Sequence, residues 1–280
     1  MTAKSFVIVA LLACAAPAAA QQRPLDTQDP ETIGAGRVLI EGGIYGAHDM
    51  TYPLSGLTGN LWQIPVLGID VGISSIADLQ ITGGPYNHLT ITSRQPAPLA
   101  DQVTTTDDST HAVEDITFGA KIRIAGETEG RPSFGFRFAT RLPNAKHRSG
   151  IAQGTTDFGI SLLVGKTIQS VRVVGNVGWV IMSEPLDAAK QNDVITYGFS
   201  LARALTERTE IVGEINGRLS TRNGVAPIGT ESRGLVTLGG RFTQGPVRLD
   251  AGVFFGLHAI DPTVGVTAGV TYVFNAFTVP

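Results

Sequence analysis

One cysteine, Cys14, occurs among the 280 residues, and it falls within the first 20. The rest of the chain therefore has no disulfide to hold it together. Long hydrophobic runs are also missing: after Ala20 no apolar stretch approaches the length that carries a helix across a bilayer. Any membrane-spanning structure in that part must be built from strands. An excess of one charge is lacking too, since 21 Lys and Arg against 24 Asp and Glu give −3, or −4 once Lys4 is set aside. There is thus no basic surplus that would point to nucleic acid. No Gly-rich loop of the GxxxxGK type is present to couple the protein to nucleotide, and no cofactor is expected. Sustained helical periodicity is absent, apart from Ala188-Ala189-Lys190 and neighbours, which suit one turn.

The opening MTAKSFVIVALLACAAPAAA has one early lysine, an apolar run from Phe6 to about Ala16 and a small-residue site before Gln21. That is the pattern of an export signal cut after Ala20, and its apolar run is too short to span a bilayer. Leu11-Leu12-Ala13 before Cys14 loosely resembles a lipoprotein-processing box, which makes Cys14 an alternative lipidation site. The expected layout is a signal peptide over 1–20, a periplasmic N-terminal segment over 21–35, a barrel over 36–275 and a C-terminal tail over 276–280. The segment QQRPLDTQDPETIGAG is polar and has no strand pattern. It either hangs in the periplasm or folds back to plug the barrel.

What the chain has in abundance is glycine, 34 residues, and alternation. In DITFGAKIRI, Ile116, Phe118, Ala120, Ile122 and Ile124 share one face, and Asp115, Thr117, Gly119, Lys121 and Arg123 the other. Period two is a strand with two unlike faces. SFGFRFATRL, ITYGFSLA, EIVGEINGR and VGVTAGVTYVF repeat it, with Phe134, Phe136 and Phe138 opposite Arg137 and Arg141, and Ile211 and Ile215 opposite Glu210, Glu214 and Arg218. About twelve such strands are predicted, near 36–47, 59–73, 77–91, 114–125, 132–142, 156–165, 170–182, 193–204, 208–220, 232–243, 246–257 and 263–275. Pro65 interrupts the second, where a bulge is expected.

Short connections (74–76, 126–131, 166–169, 205–207, 244–245) alternate with mostly longer polar ones (48–58, 92–113, 143–155, 183–192, 221–231). Short turns at one end and long loops at the other are the signature of an all-β transmembrane antiparallel barrel in a Gram-negative outer membrane. In that setting the apolar faces meet lipid and the polar faces meet the lumen. Glycines on the polar faces leave room for long charged side chains. The connection near Ile260-Asp261-Pro262 is shorter than this rule expects.

The order DITFGAKIRI, PSFGFRFATRLPNA, DFGISLLVGKTIQSVRVVGNVGWV, ERTEIVGEINGRL and RLDAGVFFGLHAIDPTVGVTAGVTYVF resembles the outer-membrane transporter family of the meta-pathway of phenol degradation, over roughly residues 114 to 275. Its more specific pieces are Asp115-x-x-x-Gly119-x-Lys121, Leu142-Pro143, Asn176-x-Gly178, Glu214, Asp250-Ala251-Gly252 and Gly256-Leu257. The resemblance implies an outer-membrane barrel described as a transporter, with no established catalytic residues and no assigned substrate. The end departs from the common pattern, because Asn275 to Pro280 follow Phe274.

Inward parity selects Lys121, Arg123, Arg137, Arg141, Arg172, Arg218, Arg233, Arg241 and Arg248, with Glu41, Asp115, Asp157, Glu210, Glu214 and Asp250 as acidic counterparts. Such a set serves a solute path, where Arg and Lys favour anions, or pairs off structurally across the lumen. Two weaker constellations compete. Asp107, Asp108 and His111 suggest a cation loop without defined ligand spacing. His147 and Ser149 invite a hydrolase reading but lack an orienting third group. Trp62, Trp179, Tyr45, Tyr86 and Tyr197 are candidates for interfacial aromatic belts. The expected function is passive passage of small solutes, hydrophobic or aromatic ones as the family's name suggests, without catalysis. The alternative is a non-conducting barrel with a structural or surface-binding role. Expected partners are the lipid bilayer, lipopolysaccharide, the outer-membrane assembly machinery and a small-molecule solute.

Overall fold

The computed structural model describes residues 23–187 and 190–279. The expected signal peptide, Cys14 with it, and the proposed turn at Ala188 and Ala189 lie outside the described residues. Fourteen strands follow in order: β1 (Arg37–Tyr52), β2 (Leu57–Gly72), β3 (Ala77–Gly83), β4 (Asn87–Arg94), β5 (Ser109–Ala112), β6 (Thr117–Ala125), β7 (Ser133–Arg141), β8 (Asp157–Ile168), β9 (Val171–Ser183), β10 (Gln191–Ala204), β11 (Thr209–Ser220), β12 (Arg233–Gln244), β13 (Val247–Gly256) and β14 (Val264–Asn275).

These strands make one antiparallel sheet that closes when β1 pairs with β14 on one side and β2 on the other. The wall has twelve positions. β3 and β4 share one, pairing with the two ends of β2, and β5 and β6 share the next, pairing with β4 and β3. The break in the first of these falls at Gly84-Pro85-Tyr86, where proline has no N–H to give the ladder. Substitute bonds close the gap: the Ile64 N–H donates to the Tyr86 carbonyl at 2.9 Å and the Glu114 N–H to the Gly84 carbonyl at 2.8 Å. Asn144 mends the second break, accepting from the Ile116 N–H at 2.6 Å and donating to the Glu114 carbonyl at 2.9 Å.

The bulge expected at Pro65 is present: the β1–β2 register slips between Gly43 and Tyr45. Trp62 and Ile64 point outward before it, Leu67 and Ile69 after it. Two loop readings are corrected: the expected loop over 92–113 contains the end of β4 and all of β5. Residues 48–58 were expected to form a long loop, but β1 continues to Tyr52 and only residues 53–56 turn. His48, Asp49 and Thr51 lie near the long-loop rim, where the outer face needs no apolar side chains, so the strand carries no alternation there.

The outer surface answers which face of DITFGAKIRI is the apolar exterior. Ile116, Phe118, Ile122 and Ile124 are exposed on the outside, with Phe138, Ile160, Ile195, Phe199, Ile211, Ile215, Val266 and Val270 around the same band. Lys121, by contrast, is fully buried inside. A band of exposed large apolar side chains around a barrel with a charged interior is a lipid-facing surface. Trp62, Trp179 and Tyr86 belong to this exterior. Tyr45 does not: it faces the lumen and stacks on Phe254 at 4.6 Å.

Inside, near the long-loop end, Ala47, Leu57, Leu61, Leu89 and Phe254 form an apolar cluster backed by Tyr45, Met50, Ile91, Val103, Ile151 and Leu235. This one-sided patch gives the upper lumen an oily wall from β1, β2, β4 and β13.

Candidate functional site in the lumen

The polar N-terminal segment takes the second of its two expected placements. Rather than hanging in the periplasm, it enters from the short-turn end and runs round the inner wall as a belt. Each step is held by a lumen side chain. The Ile33 N–H donates to Asp78 at 3.1 Å, Glu31 pairs with Arg123, and Asp29 takes two bonds from Arg172 at 2.8 and 2.7 Å. Gln28 and Asn176 exchange bonds of 2.6 and 2.8 Å. Glu214 accepts from the Asp26 and Thr27 N–H groups and from the Thr27 hydroxyl at 2.7 Å. Arg23 reaches Asp250 at 3.5 Å and the Thr267 hydroxyl at 3.0 Å.

The glycines of the inner wall make this possible. A Cβ on Gly198 would sit 2.8 Å from the Thr27 hydroxyl, and one on Gly239 would sit 3.0 Å from the Pro24 ring. Pro30 likewise lies against Gly135, at 3.3 Å from such a Cβ. Glycine in a strand often marks close approach of another backbone, and here that backbone is the chain's own start.

The predicted lumen residues fall into two groups. Most are paired: Lys121 with Asp78 at 3.5 Å, Arg123 with Glu31, Arg141 with Asp157, Arg172 with Asp29 and Glu127, Arg241 and Arg248 with Glu210 at 3.7 and 3.9 Å, and Asp250 with Arg23. Glu214 is saturated by the belt. Arg137 and Arg218 differ. Arg137 donates from Nε to the neutral Gln80 side chain at 2.7 Å, and Arg218 to the Glu231 and Gly229 carbonyls at 2.9 and 3.1 Å. Among the described residues neither has a carboxylate within ion-pair distance.

Both arginines line a cavity of about 480 Å³ whose floor is the belt at Asp26, Thr27 and Gln28. Its other sides carry Ser161, Asn176, Thr196 and Asn216, with Tyr45, Met50 and Leu235 contributing the oily wall. The sequence reading left the placement of the belt open and missed Gln80 and this apolar wall.

The weaker constellations do not assemble. The Ser149 hydroxyl donates to the Lys146 carbonyl at 3.0 Å, while the His147 ring lies against Gly154. Arg94 takes the Asp107 carbonyl, and His111 faces outward, 6.1 Å from the Tyr86 ring. Among the described residues no group of three potential metal ligands gathers.

At the short-turn rim, Glu127 ties three neighbours: the Thr167 N–H at 2.8 Å, Arg172 at 2.5 Å and Lys166 at 3.4 Å. Burial works against its charge, but these donors and cations outweigh it and hold the Glu127 carboxyl below its ordinary value. A carboxylate with a depressed pKa stabilises the fold above the unfolded value, and that contribution is lost as pH falls through the folded one. Glu127→Gln should therefore unfold more readily than the parent at pH 7, and the two should converge in acid. Urea titration of both proteins at pH 7 and pH 3 checks this; a gap that persists in acid would show that charge is not the cause.

Fold and lumen together define a closed, antiparallel transmembrane-type β-barrel with a charged, partly plugged interior. The chain belongs to the family described as "Putative MetA-pathway of phenol degradation", which it matches over residues 21–274. An outer-membrane channel from Pseudomonas putida F1 has the same fold, with a TM-score of 0.61 at 12% identity, covering 89% of this chain and 100% of that one. The translocator domain of the autotransporter NalP from Neisseria meningitidis follows at 0.50 and 14% identity, covering 86% and 89%. The NanC porin also scores 0.50, at 7% identity, covering 84% and 98%. At such identities the likeness establishes the fold. No curated protein matches the sequence.

Proposed function

We propose that this protein is an outer-membrane channel through which small, largely hydrophobic or aromatic solutes pass down their gradients. The observation that carries the reading is the lumen itself: a cavity of about 480 Å³ with an oily side and two arginines without carboxylate partners, above a polar belt. A barrel serving only as a scaffold gains nothing from leaving cations unpaired in its interior. The family's description names phenol degradation, and the Pseudomonas putida F1 protein is described as an outer-membrane channel, which supports the same reading.

The accompanying proposals are export by a signal peptide cut after Ala20, assembly by the outer-membrane machinery, and a resting place between phospholipid and lipopolysaccharide. The short-turn end then faces the periplasm. Chemistry on a solute is not part of the proposal, since His147 and Ser149 do not meet.

Single-channel recording tests the central claim. The full mature chain in a planar bilayer should give stable conductance steps, and liposomes carrying it should admit benzyl alcohol faster than protein-free ones. Silence from protein shown by protease protection to be inserted would favour the non-conducting barrel.

A further inference from the structure

We infer that the cavity above the belt is a binding site for small aromatic anions, a carboxylate or phenolate on a single ring, with Arg137 and Arg218 as the residues that select the charge. This deepens the channel reading and rests on it for its physiological meaning.

The first argument is charge. Three arginines line the cavity, and Arg233 is engaged with Asp261 at 3.9 Å and with the Thr51 carbonyl at 3.0 Å. Asp261 in turn accepts from the Gly234 N–H at 2.8 Å and the His258 N–H at 3.0 Å. Asp26 accepts from Asn216 at 3.0 Å at the floor. Arg137 and Arg218 remain, each with its strongest bonds made to neutral acceptors. A guanidinium in a half-enclosed site that makes no ion pair with a carboxylate is a place for an anion, which it binds through charge-assisted bonds.

Shape and polarity supply the second argument. The volume lies within the range of small-molecule sites, which are apolar with a few placed polar groups. Tyr45, backed by the buried Phe254 stacked behind it, gives with Met50 and Leu235 one apolar, polarizable side for a ring, and Ser161, Thr196 and Asn176 offer hydroxyl and amide groups elsewhere. Inorganic anions would use the arginines but waste the oily side. Uncharged aromatics would use the oily side but leave the arginines as they are. A ring carrying one negative charge uses both.

The belt's Asp26 sets the sign test, because its carboxylate lies in the cavity floor and opposes an incoming anion. Titration calorimetry on the full mature chain in detergent, with benzoate as the probe, should show saturable binding. Benzyl alcohol and acetate should each bind at least roughly tenfold more weakly, since each lacks one of the two contributions. Arg137→Gln and Arg218→Gln should each weaken benzoate about tenfold, Arg137→Lys less, and Asp26→Asn should strengthen it. Heat-modifiable migration on gels confirms that each variant is folded.

Benzoate affinity unchanged in folded Arg137→Gln and Arg218→Gln, or benzyl alcohol binding as tightly as benzoate, would overturn the site. So would the absence of benzoate binding to a protein that conducts ions, which leaves the channel standing. Benzoate binding by a protein silent in bilayers would instead remove the channel and keep the site.

Discussion

A chain lacking residues 23–33 should still form the barrel and should conduct severalfold more current per pore than the intact protein. The barrel does not depend on the belt for closure, because β1 and β14 pair continuously from Arg37 with Asn275 to His48 with Val264. The belt, however, follows the inner wall past β3, β6, β9, β11, β13 and β14 and provides the cavity floor. Its removal widens the narrowest level and frees Asp78, Arg123, Arg172 and Glu214 to meet water. Selectivity should shift as well, since Glu31 and Asp29 leave while their partners Arg123 and Arg172 stay. Conductance steps of unchanged size from correctly folded, inserted protein would show that the belt is not the constriction.

The second large effect concerns Lys121, whose side chain is fully buried and whose ion-pair partner, Asp78, is equally buried at 3.5 Å. Asp78→Ala leaves a buried cation without its ion-pair partner and also strands the Ile33 N–H. Breaking a buried pair in this way costs about 3–5 kcal/mol. Replacing both, as Asp78→Ala with Lys121→Met, removes the charge along with its partner and should recover much of that loss. Urea unfolding followed by the fluorescence of Trp62 and Trp179 measures the cycle. A double variant as unstable as Asp78→Ala alone would mean that packing, not charge, dominates at this position.

Parity made the lipid-facing side legible. Where a strand crosses the membrane, as in DITFGAKIRI or SFGFRFATRL, lipid on one side and polar lumen on the other impose a strict period of two, and the sequence carries it. Above the membrane the constraint lapses, so β1 beyond Ala47 was invisible. The split of the third wall position was also hidden: Leu79 and Ile81 face out while Leu89 and Ile91 face in, and only Gly84-Pro85 marks where the parity changes. The inner apolar wall defied the rule directly, because Leu57, Leu61 and Leu89 use hydrophobic residues to pack the lumen.

The candidate site was readable only in part. Parity assigned the charged residues to the inner face, and there Arg141, Arg172 and Arg241 are paired, while Arg137 and Arg218 line the cavity. For Arg123 and Arg172 the course depends on the belt, and the belt has no period to detect. Its bonds are made one residue at a time, Asp29 to Arg172 and Thr27 to Glu214, across more than a hundred positions of sequence.

The belt is held at both ends. Arg23 is tied within the barrel to Asp250 and Thr267, and the other end runs into the wall strand β1 at Arg37. A segment anchored twice is a strap rather than a loose tail: a bond that opens anywhere along it closes again before its neighbours let go, so the lumen clears only when several of the contacts part together.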